Sequence, residues 1–147
     1  MATDVDVDFV THDKEVIEAI GEACAAALNA VGMQAEGYAK LLCPVDTGLL
    51  RNSITYAIDG QAPAIESYHG DNPSKYDGHE PGEGTYQGTA PKEEKNKHSV
   101  IIGTNVEYAP YVEYGAELTR AQPFLRPAAA GHTDEYMEII KKYLKAK

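Results

Sequence analysis

A long run of apolar residues near the N-terminus constrains the fold most. The residues recur every three or four positions, the spacing that places side chains on one face of an α-helix. Thr11 or Asp13 can cap the start of this helix, and Pro44 disfavours helical geometry beyond Cys43. The pattern predicts an amphipathic helix of about 30 residues, built on Val16, Ile20, Cys24, Ala27, Val31, Ala35, Tyr38 and Leu42.

Three glycines interrupt this predicted helix, at Gly21, Gly32 and Gly37. A glycine in a helix interior costs about 1 kcal/mol relative to alanine. Close packing of another helix would offset that cost, so we expect a neighbouring helix at these positions.

The patterns of apolar residues predict extended segments in three places. Val5, Val7 and Phe9 alternate with aspartates, which predicts an extended arm over residues 1–10 that pairs with a neighbour or frays. Residues 53–58 predict a strand with Ile54, Tyr56 and Ile58 on one face. Residues 99–104 predict a second strand, whose consecutive residues Val100, Ile101 and Ile102 suit burial on both faces.

A long polar segment, residues 60–97, separates these two strands and is rich in Gly, Pro and charged residues. Loops longer than about 12–15 residues are usually functional or disordered. We therefore predict that residues 60–97 are mobile in the free monomer and become ordered against a partner. A hairpin around Tyr68 and Tyr86 is compatible with the sequence, which does not fix its position.

The C-terminal third predicts two helices. Tyr108 to Gly115 is typical of a short helix with Pro110 in its first turn and Gly115 at its end. Residues 122–127 predict an extended segment because each of its prolines disfavours helix in the residue before it. The last helix is expected to end near Lys145 and to bury Tyr136, Ile140, Tyr143 and Leu144.

These elements together predict an α+β fold in a single domain of residues 1–147. A long N-terminal helix and a C-terminal helix would pack on a small antiparallel sheet that carries a long polar loop. Cys24 and Cys43 would lie on one helix about 28 Å apart, beyond the reach of a disulfide, so both are expected to be reduced. No apolar run has the length of a membrane span, and an acidic start argues against a signal peptide.

Charge argues against sequence-specific binding of DNA. The formal net charge is −10, and residues 1–36 hold eight acidic residues against Lys14 alone. Proteins that bind nucleic acid normally carry a basic patch. The lysines near the C-terminus follow acidic residues, an order that stabilises a helix through its macrodipole.

Each candidate catalytic or metal-binding site in this sequence lacks part of its motif. His69, Asp71, His79, Glu80 and Glu83 could bind a metal ion, but no pair has the spacing of a zinc protease site, so a solvated loop is the simpler interpretation. A calcium-binding loop would match the spacing of Asp4, Asp6, Asp8 and Glu15. Phe9, however, occupies the position at which such a loop needs glycine for its sharp turn, which argues against a calcium site. Neither cysteine lies in a recognisable nucleophile motif. We predict no catalytic residue, no metal and no cofactor.

Tyrosine is the most abundant aromatic residue, with ten tyrosines against two phenylalanines. Tyr108, Tyr111 and Tyr114 recur every three residues on the predicted short helix, so their rings would form one ridge. The ridge can face the core with its hydroxyls at the surface. It can also form a subunit interface, where tyrosine is enriched.

Three segments, residues 44–54, 106–115 and 122–128, resemble the head-tail joining family of tailed bacteriophages, also called tail-completion, neck or minor tail-component proteins. The order of the segments and the preceding long helix match as well. The polar segment 60–97 is longer than is usual for the family. The residues that carry the resemblance as structural motif are Pro44, Asp46, Thr47, Gly48, Pro110, Gly115, Pro123 and Pro127.

The resemblance implies a structural virion protein that forms a homo-oligomeric ring at the head-tail junction. It would contact head-connector and tail-tube or terminator proteins in a siphovirus particle assembled in the host cytoplasm. DNA would pass through the ring without being read. The alternatives are a tail terminator, another minor tail or capsid component, and a metal-dependent hydrolase that uses His69, His79 and Glu80. Candidate interaction residues are Val5, Val7, Phe9, Tyr108, Tyr111, Tyr114, Phe124 and Arg126.

Overall fold

The computed structural model describes residues 2–6, 14–58, 63–86 and 99–145. The predicted N-terminal helix is present as α1 (Lys14–Leu42), and its apolar stripe is buried at Cys24, Ala27, Val31 and Ala35. The last turn departs from the prediction because the buried positions continue in steps of four from Ala35. Ala39 and Cys43 are therefore buried, and Leu42 is 45% exposed.

The glycines of α1 have different surroundings. A Cβ atom at Gly32 would lie within 3.0 Å of three ring carbons of Tyr56, so the ring packs directly on this glycine. The neighbour belongs to a strand, which corrects the expectation of a packed helix. Apart from the adjacent residues and the nearby backbone of α1 itself, no atom of a described residue lies within 4 Å of a Cβ placed at Gly21 or Gly37.

Alanine substitutions at Gly32 and Gly37 are expected to change the stability of the protein in opposite directions. Gly32→Ala is expected to lower the free energy of unfolding by about 1–3 kcal/mol, because the added methyl overlaps the Tyr56 ring. Gly37→Ala is expected to raise it by about 1 kcal/mol, because alanine favours the helix and meets no described neighbour. Urea denaturation of both variants tests this pair, and equal effects would contradict the close packing at Gly32.

A three-stranded antiparallel sheet packs against α1. It contains β1 (Ala2–Asp6), β2 (Thr55–Ile58) and β5 (Ser99–Gly103), in the order β1-β5-β2. Both strands predicted from the centre of the sequence are thus present. Residues 2–6 of the predicted arm pair with β5 of the same chain, with Val5 opposite Val100, so this part of the arm is paired internally.

A short helix, α2 (Leu49–Ser53), precedes β2 and was not predicted. It begins after Gly48, whose φ of 88° lies in the left-handed region that favours glycine. Five residues are too few to show helical periodicity, and Leu50 anchors the helix in the core. The predicted strand over residues 53–58 consequently starts at Thr55.

The polar segment contains the hairpin that the sequence allowed. Strands β3 (Ser67–His69) and β4 (Glu83–Thr85) pair antiparallel, and Tyr68 is buried. Residues 59–62 and 87–98 lie outside the described part of the chain, as do Val7 and Phe9 of the arm. Mobility of the free monomer over residues 60–97 stays a prediction.

Three helices complete the fold: α3 (Ala109–Tyr114), α4 (Leu125–Ala130) and α5 (Thr133–Lys145). The prediction for α3 is confirmed, with Pro110 in its first turn and Gly115 at its end. The predicted extended segment 122–127 is wrong beyond Phe124, because Pro127 lies in the first turn of α4, where proline is tolerated. On α5, Tyr136 and Ile140 are buried as predicted, but Tyr143 is 39% exposed.

The architecture is α+β, as predicted, with the core between α1, the β1-β5-β2 sheet and helices α4 and α5. Cys24 and Cys43 are buried thiols. Within the described ranges, no helix combines the length and the apolarity needed to cross a membrane.

Tyr136 of α5 predicts a loss of stability at alkaline pH. Burial raises its pKa from 10.0 to about 12, and its hydroxyl donates a hydrogen bond to the carbonyl oxygen of Ala128. The unfolded chain therefore loses this proton at lower pH than the folded chain, and stability should fall between pH 10 and 12. Denaturation from pH 8 to pH 12 checks the slope. We expect a shallower decline for Tyr136→Phe, and an unchanged decline would contradict the assignment.

Candidate functional site

The first of the three family-like segments fixes part of the polar segment to the body of the protein. The Asp46 carboxylate accepts hydrogen bonds from the Ser74 hydroxyl (2.7 Å) and the Lys75 backbone N–H (2.6 Å). The carbonyl oxygen of Thr47 accepts the backbone N–H groups of Asp71 (2.6 Å) and Asn72 (3.1 Å). An aspartate in a turn commonly accepts hydrogen bonds from backbone amides close to it in sequence, whereas the partners of Asp46 are 28 and 29 residues away.

Helix α2 adds further contacts to the same stretch. Arg51 forms an ion pair with Asp71, and the Asn52 amide donates to the carbonyl oxygen of His69 (2.8 Å) and to the Asp71 carboxylate (3.1 Å). A Cβ atom at Gly48 would lie 2.8 Å from an Asp71 carboxylate oxygen. This segment of the family resemblance therefore has a structural role, to hold residues 69–75 in place.

The second and third segments are joined by Glu113, a buried residue on α3. Its carboxylate accepts the backbone N–H groups of Phe124 (2.7 Å), Leu125 (3.0 Å) and Arg126 (2.9 Å). The first N–H groups of a helix have no partner within the helix, and a carboxylate there also interacts favourably with the helix dipole. Glu113 thus caps α4 and fixes it against α3.

The role of Glu113 was not predicted from the sequence. A signal was nevertheless present, because it is the one acidic residue in the short helix Ala109–Tyr114 and stands next to apolar Val112. The pattern of α3 does not show which donors its carboxylate meets. That information depends on the chain folding back on itself.

A tight turn after α3 produces this return. Gly115 has a φ of 81°, and a Cβ atom there would lie 2.9 Å from the backbone of Thr119 and of Ala121. The backbone N–H of Gln122 then donates to the carbonyl oxygen of Val112 (2.8 Å). Pro123 follows at once and leads into α4, so Gly115 and Pro123 flank the turn.

The chain reversal between α3 and α4 exposes large side chains to solvent. Tyr111 is 62% exposed, Tyr114 is 59% exposed, and Leu118 at the turn is 98% exposed. The Arg126 guanidinium lies over the Tyr114 ring, 5.7 Å from its centroid. We call these four residues the tyrosine face: Tyr111, Tyr114, Leu118 and Arg126. Their exposure favours an interface over a core-facing stripe.

Two predicted interaction residues lie elsewhere. Tyr108 is partly covered, its hydroxyl hydrogen-bonds the backbone of Leu50, and burial raises its pKa. Phe124 is fully buried in the core and cannot contribute its side chain to the surface of the monomer. The predicted ridge thus retains two of its three tyrosines, and Leu118, which carries no motif, joins them.

The candidate metal ligands of the polar segment do not assemble into a site. Across the residues that the structure describes, no group of three His, Cys, Asp or Glu side chains could hold a metal ion. His79 lies 3.5 Å from Asp77, and both are exposed. For the calcium-loop alternative, Asp8 and the side chains of Asp4, Asp6 and Glu15 lie outside the described part.

Comparison with protein families decides the assignment. The family described as "Bacteriophage HK97-gp10, putative tail-component" matches residues 13–115, well over half of the chain. The chain belongs to the HK97 gp10-like family. No curated protein and no solved structure matches it.

The family match includes the first two resemblance segments and ends at Gly115. It therefore contains Glu113 but not the N–H groups that Glu113 binds in residues 124–126. As an HK97 gp10-like protein, the chain is a structural tail component that interacts with other virion proteins. The tyrosine face is the candidate site for such contacts.

Proposed function

We propose that this HK97 gp10-like protein forms a homo-oligomeric ring at the head-tail junction, where it joins or completes the tail on the DNA-filled head. The tyrosine face carries the proposal. It presents two tyrosines, a leucine and an arginine to solvent from a rigid return of the chain. Tyrosine and arginine are enriched among the residues that dominate the energy of protein interfaces.

A ring requires that one surface of each copy binds a different surface of the next. The tyrosine face is held firmly enough for such a role, because Glu113 fixes the start of α4, and Gln122 bonds back to α3. A preorganised surface loses little conformational freedom when it binds. These contacts support an assembly role for the face.

The charge of the chain suits a ring through which DNA passes. At a net charge of −10, a lumen formed by these subunits would repel the phosphate backbone and leave the DNA free to move. The proposal includes no sequence-specific binding of DNA, no cofactor and no catalytic step. Partners would be the head-connector and tail proteins on either side.

Electron microscopy of particles made with and without the gene tests the proposal. Without the gene, we expect filled heads and finished tails as separate objects, and supply of the intact gene in trans should restore joined particles. Tails of abnormal length would instead indicate a tail terminator. Heads without DNA would indicate a capsid component. Either of these results, or normal joined particles, would overturn the junction role.

A further inference from the structure

Strand β1 is attached to the body of the protein through backbone pairing. Its five residues lie opposite five residues of β5, from Ala2 against Gly103 to Asp6 against Ser99. Two of the five, Ala2 and Val5, are apolar, and the others are threonine and aspartate. The hydrogen bonds of a β-ladder join main-chain groups, which are the same in every copy. The edge of β5 can therefore accept β1 from its own chain or from another.

Strand β5 needs a partner on the edge that β1 covers. It is the central strand of the sheet, and its residues Val100 and Ile102 are each 2% exposed. A strand left uncovered presents unpaired N–H and C=O groups, which pair readily with another chain. The register of the sheet shows which segment fits this edge, and that segment is β1. The occupant of the edge is therefore known, and in the monomer the same copy supplies it.

The charge of the N-terminal region favours a β1 that reaches away from its own body. From Asp4 to Glu15 the chain holds five acidic residues and one basic residue, Lys14. Segments of like charge repel themselves, which favours extension. Eight residue steps separate Asp6 from Lys14, and a connection of that length can span up to about 28 Å. This reach is sufficient for a neighbour in direct contact.

The edge that receives β1 adjoins the tyrosine face. Strand β1 lies against α4 as well as against β5, and α4 carries Arg126 of the tyrosine face. Arg126 is the single charged residue of α4, and β5 has none, whereas β1 carries two aspartates. An acidic strand thus meets elements that carry a positive charge, and opposite charges of this kind favour correct docking. Both features lie at the surface proposed to contact a neighbour.

We infer that β1 is exchanged between copies in the ring, so that β1 of each copy pairs with β5 of the next. Exchange keeps the residue pairs of the monomer and changes only the copy that supplies the strand, which makes it a low-cost route to an oligomer. Each copy gives one strand and receives one, as a closed ring of heterologous contacts requires. This inference rests on the proposed ring and names the segment that links its subunits.

Disulfide trapping in assembled particles tests the exchange. Asp4 and Ile101 are direct partners in the register of β1 and β5, and opposed residues have Cα atoms about 4.5–5.5 Å apart, within the range of a disulfide. The double variant Asp4→Cys/Ile101→Cys is oxidised in particles and as purified monomer, and the products are separated by size without reduction. The native thiols are buried, and burial raises the pKa of the Cys43 thiol to about 12, so wild-type protein is the unreactive control.

We expect a ladder of covalent multimers from particles, because each disulfide then joins two copies. The purified monomer should give a cross-linked monomer, which shows that the two positions are opposed. Cross-linked monomers from particles would show that β1 stays with its own chain and would overturn the inference. A product that stops at dimers, or no disulfide at all, would also overturn it. If heads and tails still fail to join without the gene, the junction role survives each of these failures.

A second pair of partners protects the test against a folding defect. Asp6→Cys/Ser99→Cys uses another pair of the same register and replaces polar residues, whereas Ile101 is half-buried. If Ile101→Cys impairs folding, the pair at Asp6 and Ser99 should still give the ladder. Cross-linked monomers or no disulfide from this pair would count against exchange in the same way.

Co-assembly of two single variants supplies an independent readout. Asp4→Cys chains mixed with Ile101→Cys chains should give covalent dimers in particles, because a disulfide between these positions then requires two copies. Asp4→Cys mixed with Glu83→Cys is the matched control, since Glu83 is exposed on β4 of the other sheet. It should give no such dimer. Equal yields from the two mixtures, or no dimer from the first, would contradict exchange of β1.

Discussion

Glu113→Gln is expected to lower the free energy of unfolding by about 2–3 kcal/mol. The carboxylate of Glu113 accepts three backbone N–H groups at the start of α4 and is 4% exposed. Hydrogen bonds to a charged group are worth about 1.5–3 kcal/mol each, and a buried donor left unpaired costs a similar amount. Glutamine keeps one acceptor oxygen and turns an amide NH₂ toward the remaining donors.

Glu117→Gln is the matched control, since Glu117 lies four residues further along the chain and is exposed. Its stability should change by less than about 0.5 kcal/mol. Chemical denaturation of both variants measures the difference. Similar stabilities for Glu113→Gln and Glu117→Gln would show that the cap contributes little.

Tyr111→Ser and Tyr114→Ser are each expected to weaken assembly about 30-fold while leaving the monomer folded. Interface tyrosines of this kind contribute about 2 kcal/mol or more to binding, which corresponds to that factor. Both side chains are largely exposed in the monomer, so their loss removes little of its core. The fraction of joined particles, and sedimentation of the purified variants, measure assembly directly.

Tyr76→Ser is the control for this pair, because Tyr76 is 88% exposed but lies in the polar segment, away from the tyrosine face. It should assemble as the wild type does. Equal losses for all three tyrosine variants would indicate a general effect of surface tyrosine on solubility. If the Tyr111 and Tyr114 variants unfold, these tyrosines stabilise the monomer and the assembly defect does not report on an interface.

The elements that could be predicted from sequence are those whose own pattern determines them. The stripe of α1, the alternation in β2 and the consecutive apolar residues of β5 reflect how each element meets the core. Gly115 was predicted correctly because a positive φ after a short helix favours glycine. These signals are local, and the structure confirms them.

What could not be predicted depends on partners distant in sequence. Asp46 has the residue type of a local turn, but it binds Ser74 and Lys75. Pro127 favours an extended chain when it is considered alone. In the structure, the Glu113 carboxylate accepts the backbone N–H groups just before Pro127, and α4 begins at Leu125. Helix α2 is too short for its periodicity to be recognised.

The candidate site also combines features that could be predicted from local sequence with features that depend on the folded chain. The spacing of Tyr111 and Tyr114 identified the ridge, but sequence left open whether it faces the core or the solvent. Leu118 carries no motif, and its exposure is visible only once the core is assembled. Phe124 was a candidate interaction residue as part of the segment from Pro123 to Pro127, and its burial removes it from the surface of the monomer.

A reconstruction of the head-tail junction in intact particles tests the central claim most directly. It should show a closed ring of this fold between the connector and the tail, with Tyr111 and Tyr114 of each copy covered by the neighbouring copy. Density for the chain elsewhere in the particle would contradict the account, as would a junction ring whose tyrosine faces remain open to solvent.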